Sequence, residues 1–168
     1  MVKKEILDET VRSHLNSLPA DDMVIFVLAQ GRARGAFFSG TRFVNQMRAQ
    51  HSLGILETMV LGQASVCGAL LIPTMKGKEH LTLRYEVSGV AEGFSVEADS
   101  TGYVRSYLFT DHIPVEKPLE NWDLAPFLGK GTLTMATVHE GDRRPFTSSV
   151  PIAGESIAKD LAYYFSQS

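Results

Sequence analysis

Ile55-Leu56-Glu57-Thr58-Met59-Val60-Leu61-Gly62-Gln63-Ala64-Ser65-Val66-Cys67-Gly68-Ala69-Leu70-Leu71-Ile72, closed by Pro73, decides the fold. The stretch is apolar on nearly all sides of a helix. At about 18 residues it is just long enough to cross a bilayer. Glu57 and Gln63 interrupt it, and a polar helix face, Arg42, Gln46, Arg48 and Gln50, lies directly before it. A helix hydrophobic all round is equally at home inside a protein core. Gly62, Ala64, Gly68 and Ala69 are small enough to let another layer come close. The sequence therefore predicts a core helix, buried over most of its surface, Cys67 and Leu70 included.

Upstream, Leu7 to Leu18 has Val11, Leu15 and Leu18 on one helical stripe, and Pro19 ends it. Met23-Val24-Ile25-Phe26-Val27-Leu28-Ala29 is a continuous apolar run with β-branched content, which predicts a buried strand. Gly31 to Gly40, with Phe37-Phe38, suits the return strand of a hairpin. Thr41 is placed to cap a helix carrying Phe43, Val44 and Met47.

Downstream, the hydrophobic period falls to two. Leu81, Leu83, Tyr85 and Val87 alternate with polar residues, as do Phe94, Val96 and Ala98, and Tyr103 to Phe109 follows as a third strand. Short Gly-containing turns join the three, which makes an antiparallel meander. A proline-containing link, Asp111 to Gly131, leads to a hairpin of Gly131–Val138 and Arg144–Val150. A final helix has Ile157, Leu161 and Tyr164 on one stripe. The class is α+β: antiparallel sheets packed around a long buried apolar helix, with a C-terminal helix. No low-complexity linker divides residues 1–168, so a single domain is expected.

Composition narrows the function. Of 168 residues, 44% are hydrophobic and 21% charged, and the net charge is −3, so nothing attracts phosphate backbones or anionic membranes in general. The first residues, Met1-Val2-Lys3-Lys4-Glu5, lead into no apolar signal core, and a cytoplasmic location is expected. No phosphate loop is present: Gly31-Arg32-Ala33-Arg34-Gly35 lacks the Lys-Ser/Thr ending. Gly93-Phe94-Ser95-Val96-Glu97 lacks the closing glycine of a nucleophile elbow, and Ser95 is expected to face solvent. His14, His51, His80, His112 and His139 are dispersed, with His51 expected at a buried turn between two helices. Arg32, Arg34 and Arg42 form a small basic cluster best placed in a solvated loop. The pairs Asp21-Asp22 and Glu116/Glu120 read as surface acids. Cys67, the one cysteine, lies in an apolar run and is expected to be a small buried hydrophobe.

What remains is apolar surface. In the third strand Val104, Ser106 and Leu108 share one face, and Tyr103, Arg105, Tyr107 and Phe109 share the other. With Val104 and Leu108 turned to the core, Tyr103, Tyr107 and Phe109 form an outward aromatic face for other proteins or a dimer partner.

Taken in order, several stretches carry a resemblance. They are Thr41-Arg42-Phe43-Val44, His51, Leu61-Gly62-Gln63-Ala64, Gly68-Ala69-Leu70-Leu71 and Lys76-Gly77-Lys78-Glu79-His80-Leu81-Thr82-Leu83. After these come Gly102-Tyr103-Val104-Arg105-Ser106-Tyr107, Gly129-Lys130-Gly131-Thr132-Leu133-Thr134, and Ile157-Ala158-Lys159-Asp160-Leu161-Ala162-Tyr163-Tyr164-Phe165. From about Asp22 to Ser168 the chain resembles the redox-regulated 33 kDa heat-shock chaperones. Gln63 stands where that family usually has Arg, and Ser106 where it usually has Gly. Residues 89–93 replace a Gly-Pro-containing turn.

The resemblance implies ATP-independent holding of unfolded client proteins during oxidative stress, without enzymatic activity. It also implies a cytoplasmic protein and a homodimer. Family chains continue into a zinc domain with Cys-x-Cys and Cys-x-x-Cys, so the chain is expected to correspond to the N-terminal chaperone core alone. No metal or other cofactor is expected in it. An enzyme of unrecognised type and a structural scaffold are the alternatives left by the residues themselves. With one thiol and scattered histidines, folding is expected to be independent of zinc. Dialysis against a chelator should leave the far-UV spectrum and melting temperature unchanged, and stoichiometric retained zinc would contradict this.

Overall fold

The computed structural model describes residues 5–115 and 121–167; Glu116, Pro118, Glu120 and Ser168 lie outside the described residues. Helix α1 spans Glu9–Ser17 and starts on Asp8, whose carboxylate accepts from Thr10 N and Val11 N at 2.8 and 3.1 Å. Strands β1 (Asp22–Leu28) and β2 (Ala33–Ser39) form the expected hairpin. Helix α2 covers Thr41–His51, and α3, Ile55–Leu71, is the long apolar helix.

The meander is β3 (Glu79–Val87), β4 (Gly93–Asp99) and β5 (Val104–Leu108). A one-turn helix α4 (Ala125–Leu128) precedes the second hairpin, β6 (Gly131–His139) and β7 (Phe146–Ile152), and α5 (Ile157–Gln167) closes the described chain. Meander and second hairpin merge, because β3 pairs with β6 from Glu79↔His139 to Val87↔Gly131. The result is one antiparallel sheet of order β5-β4-β3-β6-β7 beside the separate β1-β2 ribbon.

The core lies under the inner face of the five-stranded sheet. Leu81, Leu83 and Tyr85 from β3, Phe94 and Val96 from β4, and Leu133 and Met135 from β6 are all buried there. Tyr85 and Phe94, cross-strand partners, stack with ring centroids 4.7 Å apart. Helix α3 lies on β4 and β5, with Leu56, Val60, Leu61, Ala64, Ser65, Gly68 and Ala69 buried. Gly68 is the point of closest approach: a Cβ there would stand 2.5 Å from Val96 Cγ1. Hydroxyls tie the same contact together, since Ser65 Oγ and Ser106 Oγ are 2.6 Å apart and fully enclosed.

Two buried carboxylates fix the ends of this layer. Glu57, in the first turn of α3 where the helix dipole favours a negative charge, accepts a hydrogen bond from Ile113 N at 2.8 Å. His112 Nδ1 lies 2.9 Å from the same Glu57 oxygen, so the segment after β5 is pinned to the helix start. Asp160, in the first turn of α5, accepts from Tyr85 Oη at 2.6 Å and anchors that helix to the sheet centre. Burial, reinforced by the Asp160 carboxylate, pushes the Tyr85 phenol far above its ordinary range.

Two burial expectations are corrected. Helix α3 is not buried over most of its surface: one stripe faces the sheet, while Ile55 and Gln63 are exposed and Met59, Val66, Cys67 and Leu70 are partly exposed. The sheet covers only one side of a helix, and the partial cover from β2, α2 and α5 leaves the opposite stripe at the surface. The stretch Ile55–Thr74 has the length and composition of a membrane span, yet half of it is packed inside the protein. The second correction concerns Met23–Ala29. This run is a strand, as expected, but an exposed one: Val24, Ile25, Val27 and Leu28 are each half exposed or more. Its hairpin meets the body through β2, which contacts α3, and Phe38 meets Phe43 of α2 edge to face at 5.8 Å.

The Gly68–Val96 contact yields a direct test. Gly68→Leu must push apart a helix and a strand already in van der Waals contact, and is expected to destabilise by about 1–3 kcal/mol. Denaturant unfolding measures this; an unchanged midpoint would mean that α3 does not rest on β4.

Candidate functional site

The outward face of β3, β4 and β5 is built by cross-strand rows. Register places Tyr107 beside Ser95 and Ser95 beside Arg84; the next row is Arg105, Glu97 and Thr82. Strand alternation thus carries Tyr103, Arg105 and Tyr107 away from the core, while Ser106 between them is buried against Ser65. Phe109 continues the pattern, because its N–H still donates to Gly93 O at 3.0 Å.

Of the aromatic residues expected to face outward, Tyr103 is 78% exposed and Tyr107 41%. Phe109 is half-buried. The Arg84 guanidinium carbon stands 4.6 Å from its ring centroid, and the Tyr107 ring flanks it at 5.8 Å. Arg84 also donates to Glu86 Oε1 at 2.9 Å, which holds the Glu86 carboxyl below the usual carboxylate range. Arg105 pairs with Glu97. Between these groups lies a shallow depression of about 220 Å³ lined by Ser95, Glu97, Arg105 and Tyr107. The surface is a mixed aromatic and arginine face. It lies at the rim of the sheet, since β5 is the end strand and has no strand on its outer side among the described residues.

Other candidates do not assemble. Ser95 does not face solvent as expected; it is only 4% exposed, with Tyr107 and Arg84 beside it on the neighbouring strands. His51 ends α2 in an exposed position rather than at a buried turn. The three arginines are separated, Arg32 and Arg34 toward the tip of the first hairpin and Arg42 at its base, where Arg42 donates to Asn16 Oδ1 at 2.9 Å. Asp21 accepts from Arg42 N at 3.0 Å and so closes the start of α2.

His139 Nδ1 lies 2.9 Å from Glu79 Oε1, yet the described residues contain no group of three His, Cys, Asp or Glu that could hold a metal. The zinc associated with the resemblance does not fit this chain, whose one cysteine, Cys67, is half-buried with its thiol pushed up by burial. What the residues alone missed is Arg84 and its stack on Phe109. Alternation gives each strand's faces, but not which strands become neighbours.

The family model described as Hsp33 protein matches residues 21–168. The chain belongs to the Hsp33 family. Among curated relatives, the 33 kDa chaperonin of Thermotoga petrophila is 37% identical over 74% of this chain and 43% of its own length. That of Aquifex aeolicus is 34% identical over 100% of this chain and 54% of its own. The solved 33 kDa chaperonin (heat shock protein 33 homolog) of Thermotoga maritima superposes with a TM-score of 0.78 at 32% identity, covering 86% of this chain and 50% of that one. This Hsp33-family chain therefore spans about half the length of the curated relatives it matches, and it shares their α+β fold.

Proposed function

We propose that this chain is the client-binding core of an Hsp33-type holdase, which keeps unfolded proteins from aggregating without ATP and without catalysing a reaction. The observation that carries the reading is family membership across residues 21–168, joined to an exposed aromatic face at a sheet rim. Tyr103, Tyr107 and Phe109 are the proposed client contacts.

An unfolded client offers apolar side chains and unpaired backbone. Tyr binds varied apolar and polar groups through a large face with few rotatable bonds, and Arg adds a planar guanidinium that stacks and donates. The open edge of β5 offers main-chain hydrogen bonds to an extended segment of any sequence. The mid-strand charge of Arg105 hinders permanent pairing there, which suits release. Such a surface needs no nucleotide, in keeping with the missing phosphate loop. The reading further places the protein in the bacterial cytoplasm as a stress-response chaperone that works as a homodimer. Redox switching through zinc thiolates needs cysteines beyond Cys67, so peroxide is not expected to change the activity of these 168 residues.

Light scattering of a heat-denatured client enzyme tests the proposal. The wild-type chain is expected to suppress scattering, and Tyr103→Ser/Tyr107→Ser is expected to lose most of that effect while melting within a few degrees of wild type. Suppression undiminished in the double variant would remove the aromatic face. No suppression by the wild-type chain would favour the scaffold or enzyme reading.

A further inference from the structure

Among the described residues the buried polar side chains are Glu57, Ser65, Glu79, Ser95, Ser106 and Asp160. All but one have a partner inside the protein. Glu57 accepts from Ile113 N, Glu79 faces His139, Asp160 accepts from Tyr85 Oη, and Ser65 and Ser106 bond to each other. Ser95 is the exception: its hydroxyl makes no hydrogen bond to another described residue. No fully enclosed side-chain nitrogen or oxygen of the described residues lacks a partner. The Ser95 oxygen is therefore not sealed in. It opens into the depression that Ser95 lines together with Glu97, Arg105 and Tyr107.

Register and side-chain length create this gap. Ser95 is a short side chain on the outward face of β4, with Arg84 and Tyr107 beside it on the neighbouring strands. Arg84 is drawn away toward Glu86 and the Phe109 ring and does not line the space. The lining carries no net charge, because Arg105 pairs with Glu97. Its volume of about 220 Å³ is below the roughly 300–1,000 Å³ that holds a drug-sized molecule, and suits one side chain.

We propose that this depression is an anchor pocket for a client tyrosine, whose phenol hydroxyl bonds Ser95 Oγ while its ring packs against Tyr107 and the Arg105 guanidinium. The inference rests on the client-binding role of this face and names the side chain it selects. A ring stacks on Tyr107 and on a guanidinium plane. A phenol hydroxyl is donor and acceptor at once, and a serine hydroxyl matches it in either role. A phenylalanine or aliphatic side chain would cover Ser95 and leave its hydroxyl without a partner, which is unfavourable. A carboxylate would meet Glu97 as closely as Arg105. Tyrosine is often covered in a native protein and comes free on unfolding, so the pocket also suits the state of the client.

The experiment titrates blocked, otherwise uncharged pentapeptides with a central tyrosine, phenylalanine or glutamate into the isotope-labelled 168-residue chain, read by the amide shifts of Ser95, Glu97, Arg105 and Tyr107. The tyrosine peptide is expected to bind about three- to tenfold more tightly than the phenylalanine peptide, against their order of hydrophobicity. The glutamate peptide is expected to bind more weakly than either. Ser95→Ala removes a hydroxyl that bonds nothing in the fold; it should melt near the wild-type temperature and abolish the preference for tyrosine over phenylalanine. No shifts at these residues, or phenylalanine binding as tightly as tyrosine, would overturn the proposal. So would a tyrosine preference that survives in Ser95→Ala, or glutamate binding most tightly, which would make the depression an anion site. Aggregation suppression is measured in parallel. A chain that suppresses aggregation without preferring tyrosine keeps the client-binding reading and loses this pocket. A chain that prefers tyrosine at these residues without suppressing aggregation keeps the pocket and loses that reading.

Discussion

The close seating of α3 on β4 is the constraint on which the rest of the structure depends. Gly68 and Ala64 let the helix backbone approach the sheet until Val96 fills the space a side chain would take. That seating turns Val104, Ser106 and Leu108 inward toward the helix and therefore turns Tyr103, Arg105 and Tyr107 outward. A shift of β5 by one residue would bury the aromatic set and expose the other. The Ser65–Ser106 hydroxyl pair opposes such a slip, because the buried Ser106 hydroxyl would lose Ser65 Oγ, which keeps its own bond to Leu61 O. Glu57 does the same at the helix start by holding Ile113.

The second anchor, Asp160 on Tyr85, ties the end of the chain to the middle of the sheet. Tyr85 sits on the central strand β3, stacked on Phe94, so α5 is coupled to the same layer that carries α3. The outer face thus stands on a rigid backing, while its own groups, Arg84, Glu86, Glu97 and Arg105, are surface ion pairs of small individual worth. Such a face can exchange partners at little cost to the fold. Among the described residues the β1-β2 ribbon is less covered: β2 contacts α3, while Val24, Ile25, Val27 and Leu28 of β1 stay at the surface.

Much of this was legible in the sequence, for physical reasons. Alternation at Leu81, Leu83 and Tyr85 records a half-buried strand directly, and the structure buries all three. The helical stripe Ile157, Leu161 and Tyr164 is likewise buried in full. The direction of Tyr103 and Tyr107 followed from the same period of two. Burial failed where apolar residues occupy every position. The runs at Met23–Ala29 and Ile55–Ile72 carry no periodic signal to say which side is covered, and both are less covered than composition suggests. Non-local pairing was illegible as well. Nothing in β3 or β6 alone announces that they are neighbours, so the merged sheet and the Arg84–Phe109 stack came only from the three-dimensional structure.

Hydrogen–deuterium exchange of the chain, alone and in the presence of a denatured client, tests the central claim most directly. The account predicts that client slows exchange along residues 103–109, while the amides of α3, already sealed against the sheet, change little. Protection confined to segments remote from β5, with residues 103–109 exchanging as in the free protein, would contradict it.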